Sequence, residues 1–169
     1  MNQTESPAVT LSAPALPSDL RFAFVEASWH ADIVHQARDA FFTTMAEGGF
    51  PATSIDVFDV PGAFEIPLHA QRLARSGRYA AVVGSALVVD GGIYRHDFVS
   101  QTVVQALMDV QLDTGVPMIS AVLTPHHFHE HAEHRKYFMR HFAVKGTEAA
   151  EACLLTVAGL RKLDAQLAV

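Results

Sequence analysis

One apolar stretch, residues 79–89, restricts the possible folds of this chain more than any other feature. Its residues are hydrophobic or small, which is typical of a strand that is covered on both faces. Gly91 and Gly92 follow it, and residues 98–114 then show the spacing of a helix with one apolar face. A doubly buried strand that leads into a helix is the repeating unit of a parallel sheet with helices on both sides. The stretch therefore predicts an α/β fold.

The alternation of strands and helices continues along the chain. With right-handed crossovers, it predicts a three-layer α/β sandwich whose four-stranded parallel sheet has the flavodoxin-like order 2-1-3-4. We predict strands at residues 20–26, 54–60, 79–87 and 117–123, and helices at 31–47, 63–75, 96–114 and 145–163. Residues 1–19 contain three prolines and no regular period, so we expect a flexible arm before a single domain at 20–169.

Composition argues against several classes of function. A net charge of −6 with scattered lysines and arginines gives no basic surface for nucleic acid. No run of about 18 apolar residues occurs, so we predict no membrane span, and the N-terminus lacks the pattern of a secretory signal. The single cysteine, Cys153, excludes an internal disulfide and fits a cytoplasmic protein. We expect its side chain to be a small buried apolar group.

The corner after the apolar stretch has the properties of a ligand site. In an open α/β sheet, ligands bind at the carboxyl ends of the strands, where this corner should lie. Glycines let the backbone approach a ligand closely, and the following helix N-terminus attracts anions. Arg95 and His96 add a fixed cation and a residue type that exchanges protons near neutral pH. A glycine corner is also common without any ligand, and only this density of polar groups favours a site.

Other strand ends should converge on the same edge of the sheet. Trp29, the only tryptophan, follows the first strand and would be either a core residue or a flat platform for a planar ring. The segment Ala63-Phe64-Glu65 opens a helix, so its N–H groups could bond the edge of a heterocycle. Glu65 could equally be a helix N-terminal charge and nothing more.

The histidines are unevenly distributed, because six of the ten lie between His126 and His141. His127 and His131 have a spacing that can hold a metal on a helix. No His-Glu-x-x-His motif is present, and we favour an exposed polar helix with one or two ligand contacts. We therefore predict no metal site.

Two motifs resemble one known family. Val-Pro-Gly-Ala-Phe-Glu-Ile-Pro at residues 60–67 and Gly-Gly-x-x-Arg-His-Asp-Phe-Val at 91–99 are similar to the lumazine synthases of riboflavin biosynthesis. The similarity runs from about residue 20 to residue 160. Trp29, the sequence Tyr94-Arg95-His96 and the histidine-rich segment resemble the second type, which forms decamers in some bacteria.

The resemblance implies an activity and a mode of assembly. The family condenses 5-amino-6-(D-ribitylamino)uracil with 3,4-dihydroxy-2-butanone 4-phosphate to 6,7-dimethyl-8-ribityllumazine, the penultimate step of the pathway, without a cofactor. It implies a transferase that is a homopentamer or homodecamer, with sites shared between subunits and with flavin binding. Holding the two substrates together in the right orientation could supply most of the acceleration of the condensation.

The resemblance also implies a role for each candidate residue. Trp29 would stack on the pyrimidine, and Glu65 would hold ribityl hydroxyls. Arg95 and His96 would act in catalysis. Backbone groups of the pyrimidine site would come from Ala63, Phe64, Leu87, Val88 and Val89, and those of the phosphate site from Gly92 and Ile93. A neighbouring subunit would contribute Ser120 and His134.

Three positions depart from the usual family pattern. Arg95 stands where the proton-shuttling histidine is expected, Ile93 replaces a phosphate-binding threonine, and His134 replaces a phosphate-binding arginine. These departures motivate a rival interpretation, a non-catalytic assembly that binds riboflavin or lumazine. A flavodoxin-like FMN protein fits less well, because residues 27–30 lack a hydroxyl-rich phosphate loop.

Overall fold

The structure is a computed structural model that describes residues 16–91, 95–126, 128 and 131–168. Its sheet has four parallel strands, β1 (Phe22–Ala27), β2 (Ile55–Val60), β3 (Ala81–Leu87) and β4 (Met118–Leu123), in the order β2-β1-β3-β4. The helices are α1 (Ala31–Glu47), α2 (Ile66–Arg75), α3 (His96–Thr114) and α4 (Ala132–Leu167). The predicted α/β class and strand order are confirmed.

The sheet is covered on both faces, as the apolar stretch predicts. Along β1, Phe22 and Phe24 pack against α1 and α4, whereas Ala23 and Val25 pack toward α2 and α3. All seven residues of β3 are buried. Because side chains alternate along a strand, this double burial explains why β1 and β3 are apolar at nearly every position.

Most predicted boundaries agree with the structure to within two residues. Helices α1 and α3 have the predicted limits, and the predicted helix 63–75 consists of a 3₁₀ turn at Ala63–Glu65 followed by α2. Pro67 lies in the first turn of α2, where its missing N–H costs little. Cys153 is buried, which confirms the prediction, and burial raises the pKa of its thiol to about 12.

The last helix is the one large error of the sequence prediction. It begins at Ala132 instead of Lys145 because Phe138 and Phe142, four residues apart, are buried against α1. Gly146 lies inside the helix, where an added Cβ would be 2.1 Å from the carbonyl oxygen of Ala37. The glycine therefore allows close contact between α4 and α1 and does not interrupt the helix.

Among the described helices, none is both long and apolar enough to cross a membrane.

Candidate active site

Backbone hydrogen bonds fix the loop that carries Trp29. The ladder between β1 and β2 continues beyond both strands, since Ser28 N–H donates to Val60 O at 2.8 Å and Trp29 N–H donates to Pro61 O at 3.3 Å. The indole then lies directly on Gly62, where an added Cβ would be 2.5 Å from the ring. Trp29 is 64% exposed, so its ring lies on the surface and not in the core.

The turn after β2 presents the second aromatic ring of the site. Ala63 is buried, whereas Phe64 is 62% exposed. The Glu65 carboxylate accepts the Gly62 N–H through Oε2 at 2.9 Å, which satisfies a donor at the start of the turn. Glu65 therefore has a structural role at the start of this turn, and its bond also holds Gly62 beneath the Trp29 ring.

The end of β3 is held by β4 and the residue that follows it. Val88 N–H donates to Leu123 O at 2.9 Å, and the Thr124 hydroxyl donates to Val88 O at 2.8 Å. Leu87 and Val88 are buried, and Val89 is half-buried. The Val88 N–H is thus engaged within the protein, and a ligand could use only the second lone pair of its carbonyl. The bond from Thr124 to Val88 was not predicted, although a hydroxyl directly after a strand was a usable signal.

Arg95 and His96 stand at the start of α3. The Arg95 guanidinium donates to both carboxylate oxygens of Asp97, at 3.2 and 2.7 Å, and lies 4.1 Å above the centre of the Phe98 ring. Arg95 is exposed and His96 is half-buried. Gly92 and Ile93, the predicted phosphate contacts, lie outside the described residues.

The ion pair at this corner determines what Arg95 can do. Bonding to Asp97 raises the pKa of Arg95 above its ordinary value, and the same bond lowers the pKa of Asp97. Arg95 is therefore a permanent cation that cannot release a proton near neutral pH. Of the two predicted catalytic residues, only His96 has a side chain of the type that can exchange one.

The two remaining predicted residues lie in different parts of the fold. Ser120 is exposed on the edge strand β4, three residues before the strand ends, and is therefore about 10 Å from the carboxyl edge. His134 lies in the first turn of α4, half-buried, with its ring 5.9 Å from the ring of Phe138. The structure therefore places Ser120 away from the edge that carries Trp29.

The start of α4 is attached to the start of α1. The Arg135 guanidinium donates to the Asp32 carboxylate, and the Phe128 ring lies 5.5 Å from that of His30 and 5.4 Å from that of Phe138. His30, with φ of 56°, begins α1 directly after Trp29. These contacts bring the beginning of α4, with His134, to the end of the molecule that carries Trp29. Sequence reasoning missed the contacts of Arg135 with Asp32 and of Phe128 with His30 because they join residues about a hundred positions apart.

Comparison with known proteins identifies the family of the chain. The family described as 6,7-dimethyl-8-ribityllumazine synthase matches residues 19–161. The chain belongs to this family. A lumazine synthase from Rhodococcus erythropolis is 61% identical over 143 residues, which are 85% of this chain and 92% of that protein.

Two further relatives are named 6,7-dimethyl-8-ribityllumazine synthase 2. The protein from Pseudomonas syringae pv. tomato is 60% identical, over 86% of this chain and 88% of the relative. The one from Bradyrhizobium diazoefficiens is 57% identical, over 92% of this chain and 93% of the relative. The family resemblance inferred from residues 60–67 and 91–99 is confirmed, and every candidate site residue lies within the matched part of the chain.

Proposed function

We propose that this lumazine synthase family member condenses 5-amino-6-(D-ribitylamino)uracil with 3,4-dihydroxy-2-butanone 4-phosphate, and thereby makes 6,7-dimethyl-8-ribityllumazine, one phosphate and two molecules of water. The observation that supports it most is the exposed Trp29 ring lying on Gly62, beside the turn at Ala63–Glu65. An exposed indole fixed against backbone is a stacking surface for a planar heterocycle. The reaction is the penultimate step of riboflavin biosynthesis.

The pyrimidine would be bound by stacking and by backbone groups. Trp29 would cover one face of its ring, while Ala63, Phe64 and the Leu87–Val89 segment would contact its polar edge. Glu65 would accept ribityl hydroxyls through the carboxylate that also holds Gly62. Because Val88 N–H is engaged by Leu123, we assign Val88 a contact through its carbonyl alone.

The phosphate would bind at the start of α3, where the helix dipole favours an anion. Gly92, Ile93 and Arg95 are the proposed contacts, with His134 of a neighbouring subunit as a further one. Arg95 would act as a fixed positive charge that stabilises the phosphate or a developing oxyanion. His96 would move the proton when the 5-amino group attacks the carbonyl and water leaves.

Exposed apolar residues on α3 support the proposed assembly into pentamers or decamers. Val104, Met108 and Leu112 follow each other at intervals of four residues and are 42%, 48% and 75% exposed. The opposite face of the helix is buried against α2 and the sheet, so α3 has two apolar faces. A neighbouring subunit on the outer face would also bring its Ser120 or His134 toward this site.

Light scattering with size-exclusion chromatography tests this assembly. The wild type should have the mass of a pentamer or decamer, and Met108→Asp should lower it, since a charge would be buried in the interface. Thr102→Asp, at an exposed polar position on another side of the same helix, is the matched control. A monomeric wild type would refute the assembly.

A cytoplasmic location stays a prediction from the single cysteine.

A condensation assay tests the proposed function. Purified protein mixed with both substrates should form the lumazine chromophore well above the spontaneous rate, with saturation in each substrate. Arg95→Ala and His96→Ala should each slow turnover.

The rival function, a riboflavin- or lumazine-binding assembly without catalysis, is favoured by the departures from the family pattern at Ile93, Arg95 and His134. Quenching of Trp29 fluorescence by riboflavin, with no condensation above the spontaneous rate, would establish the rival.

A further inference from the structure

A row of polar residues crosses the sheet on the face that α1 covers. Glu26 is the penultimate residue of β1, and it pairs in register with Asp59 of β2 and Ser85 of β3. Residues paired in parallel strands point to the same face. His35 and Arg38 reach this row from α1. The cluster lies on the opposite face of the sheet from α2 and is separate from the Trp29 site.

The cluster contains buried polar atoms that lack a partner. Glu26 is fully buried; its Oε1 accepts Arg38 Nη1 at 2.8 Å and lies 3.4 Å from His35 Nε2. Its second oxygen, Oε2, and the Ser85 hydroxyl are both buried without a hydrogen bond to any described residue. Such atoms destabilise a folded protein when nothing satisfies them.

The charges of the cluster favour a cation. Glu26, Asp59 and Asp39 carry three carboxylates, and Arg38, which bonds both Glu26 and Asp39, supplies one permanent positive charge. The single guanidinium of Arg38 does not balance the three carboxylates. A bound divalent cation would supply the missing positive charge, and bidentate binding by Glu26 would engage Oε1 together with the unsatisfied Oε2.

We propose that Glu26, His35 and Asp59 form a binding site for a divalent transition metal of the zinc class. One ligand atom from each residue lies within 4.8 Å of the other two. Metal–ligand distances of about 2.0–2.2 Å in a tetrahedral site place nitrogen and oxygen ligands about 3.4 Å apart, and His35 Nε2 lies 3.4 Å from Glu26 Oε1.

The remaining ligands and the access route also fit a metal. Asp59 is exposed on the edge strand β2. Rotation of its side chain can move the carboxylate inward by the roughly 1 Å that would bring it to coordination distance. The His35 side chain is 37% exposed, which gives an ion a path from solvent. Arg38 would orient the Glu26 carboxylate from outside the coordination sphere.

A metal at this place would join the carboxyl ends of β1 and β2 to α1. The β1 end leads into the loop of Trp29 within three residues. The ion would therefore stabilise the framework of that loop without contacting the proposed substrates. This inference does not depend on the proposed function, and its test does not use catalysis.

Anomalous diffraction from crystals grown with ZnCl₂ tests the site directly. Data collected above and below the zinc absorption edge should give an anomalous peak bounded by Glu26, His35 and Asp59. Peaks confined to other histidines, including those between His126 and His141, would overturn the proposal. Density without an anomalous signal at the cluster would identify a water and would equally overturn it.

Calorimetric titration with ZnCl₂ provides the matched solution test. His35→Ala and Asp59→Asn alter exposed or half-exposed side chains, so both variants should fold. Each should lower the affinity of one zinc site by at least about tenfold. His69→Ala, which removes an exposed histidine of α2, should titrate like the wild type. If His35→Ala and Asp59→Asn also titrate like the wild type, the cluster binds no zinc.

Discussion

The contact between Trp29 and Gly62 gives the sharpest prediction about the proposed site. In Gly62→Ala the new Cβ would be 2.5 Å from the indole, whereas carbon atoms normally approach to about 3.5–4.0 Å. The ring must therefore move by about 1 Å or more. Gly62 has φ of −146° and ψ of −174°, which alanine adopts without strain. The substitution thus displaces the ring without disturbing the backbone.

The expected loss of affinity follows from the value of stacking. A base stacked on an aromatic side chain contributes about 1–3 kcal/mol. Loss of that stacking weakens binding about 5- to 150-fold. Gly62→Ala should therefore raise the KM for the pyrimidine substrate, and the Kd for riboflavin, by a factor within that range. Fluorescence of Trp29, the only tryptophan, measures ligand binding, and lumazine absorbance measures turnover.

A double-mutant cycle shows whether the effect passes through the ring. Trp29→Ala should weaken binding to a similar degree, and adding Gly62→Ala to it should cause little further loss. Because Trp29→Ala removes the only tryptophan, binding in this cycle is measured by the fluorescence of riboflavin itself and by the KM for the pyrimidine substrate. Gly159→Ala is the matched control, because an added Cβ there meets no described atom within 4 Å. If Gly62→Ala weakens binding equally with and without Trp29, or leaves it unchanged, the stacking assignment is refuted.

Three further predictions concern contacts that hold the site and the fold. Thr124→Val removes the hydroxyl that holds the end of β3, so the free energy of unfolding should fall by about 1 kcal/mol in urea titrations; no change would contradict that bond's role. Gly146→Ala should destabilise by about 3 kcal/mol, because its Cβ would overlap the backbone of α1, and a stability equal to that of Gly159→Ala would refute the close helix contact. Asp56 accepts hydrogen bonds from Arg21 and Tyr79, which lower its pKa. The ionised carboxylate therefore stabilises the folded protein at pH values above the pKa that Asp56 has in the unfolded chain. This stabilisation is lost as the pH falls through the pKa that Asp56 has in the folded protein. Asp56→Asn should therefore unfold more easily than the wild type at pH 7, by an amount that shrinks below about pH 4; a pH-independent difference would contradict this.

The strand order and most helices could be predicted from the sequence because the pattern of each of these segments agrees with its place in the fold. The continuous burial of β3 appears in the sequence as an apolar stretch, and Gly115, at φ of 69°, ends α3 in the left-handed conformation that glycine commonly adopts after a helix. The start of α4 was not predictable in this way. Its helix depends on burial of Phe138 and Phe142 against α1, a tertiary contact that a sequence rich in histidines does not display.

The residue types and positions of the candidate site could be predicted from the sequence, but its hydrogen bonds and ion pairs could not. The exposed Trp29 and the turn at Ala63–Glu65 lie where the strand ends predict. The pairing of Arg95 with Asp97, and the engagement of Val88 N–H by Leu123, depend on side-chain and strand geometry that spacing does not specify. The buried Glu26 escaped notice because a single acidic residue in an apolar strand carries no motif.

A crystal structure with bound 6,7-dimethyl-8-ribityllumazine is the most direct test of the central claim, which is that the reaction takes place at the carboxyl edge formed by β1 and β2. The bicyclic ring should lie parallel to the Trp29 indole, with its polar edge toward the backbone of Ala63 and Phe64 and its ribityl chain within hydrogen-bond distance of Glu65. A lumazine bound on any other surface, with Trp29 still exposed to solvent, would contradict the account.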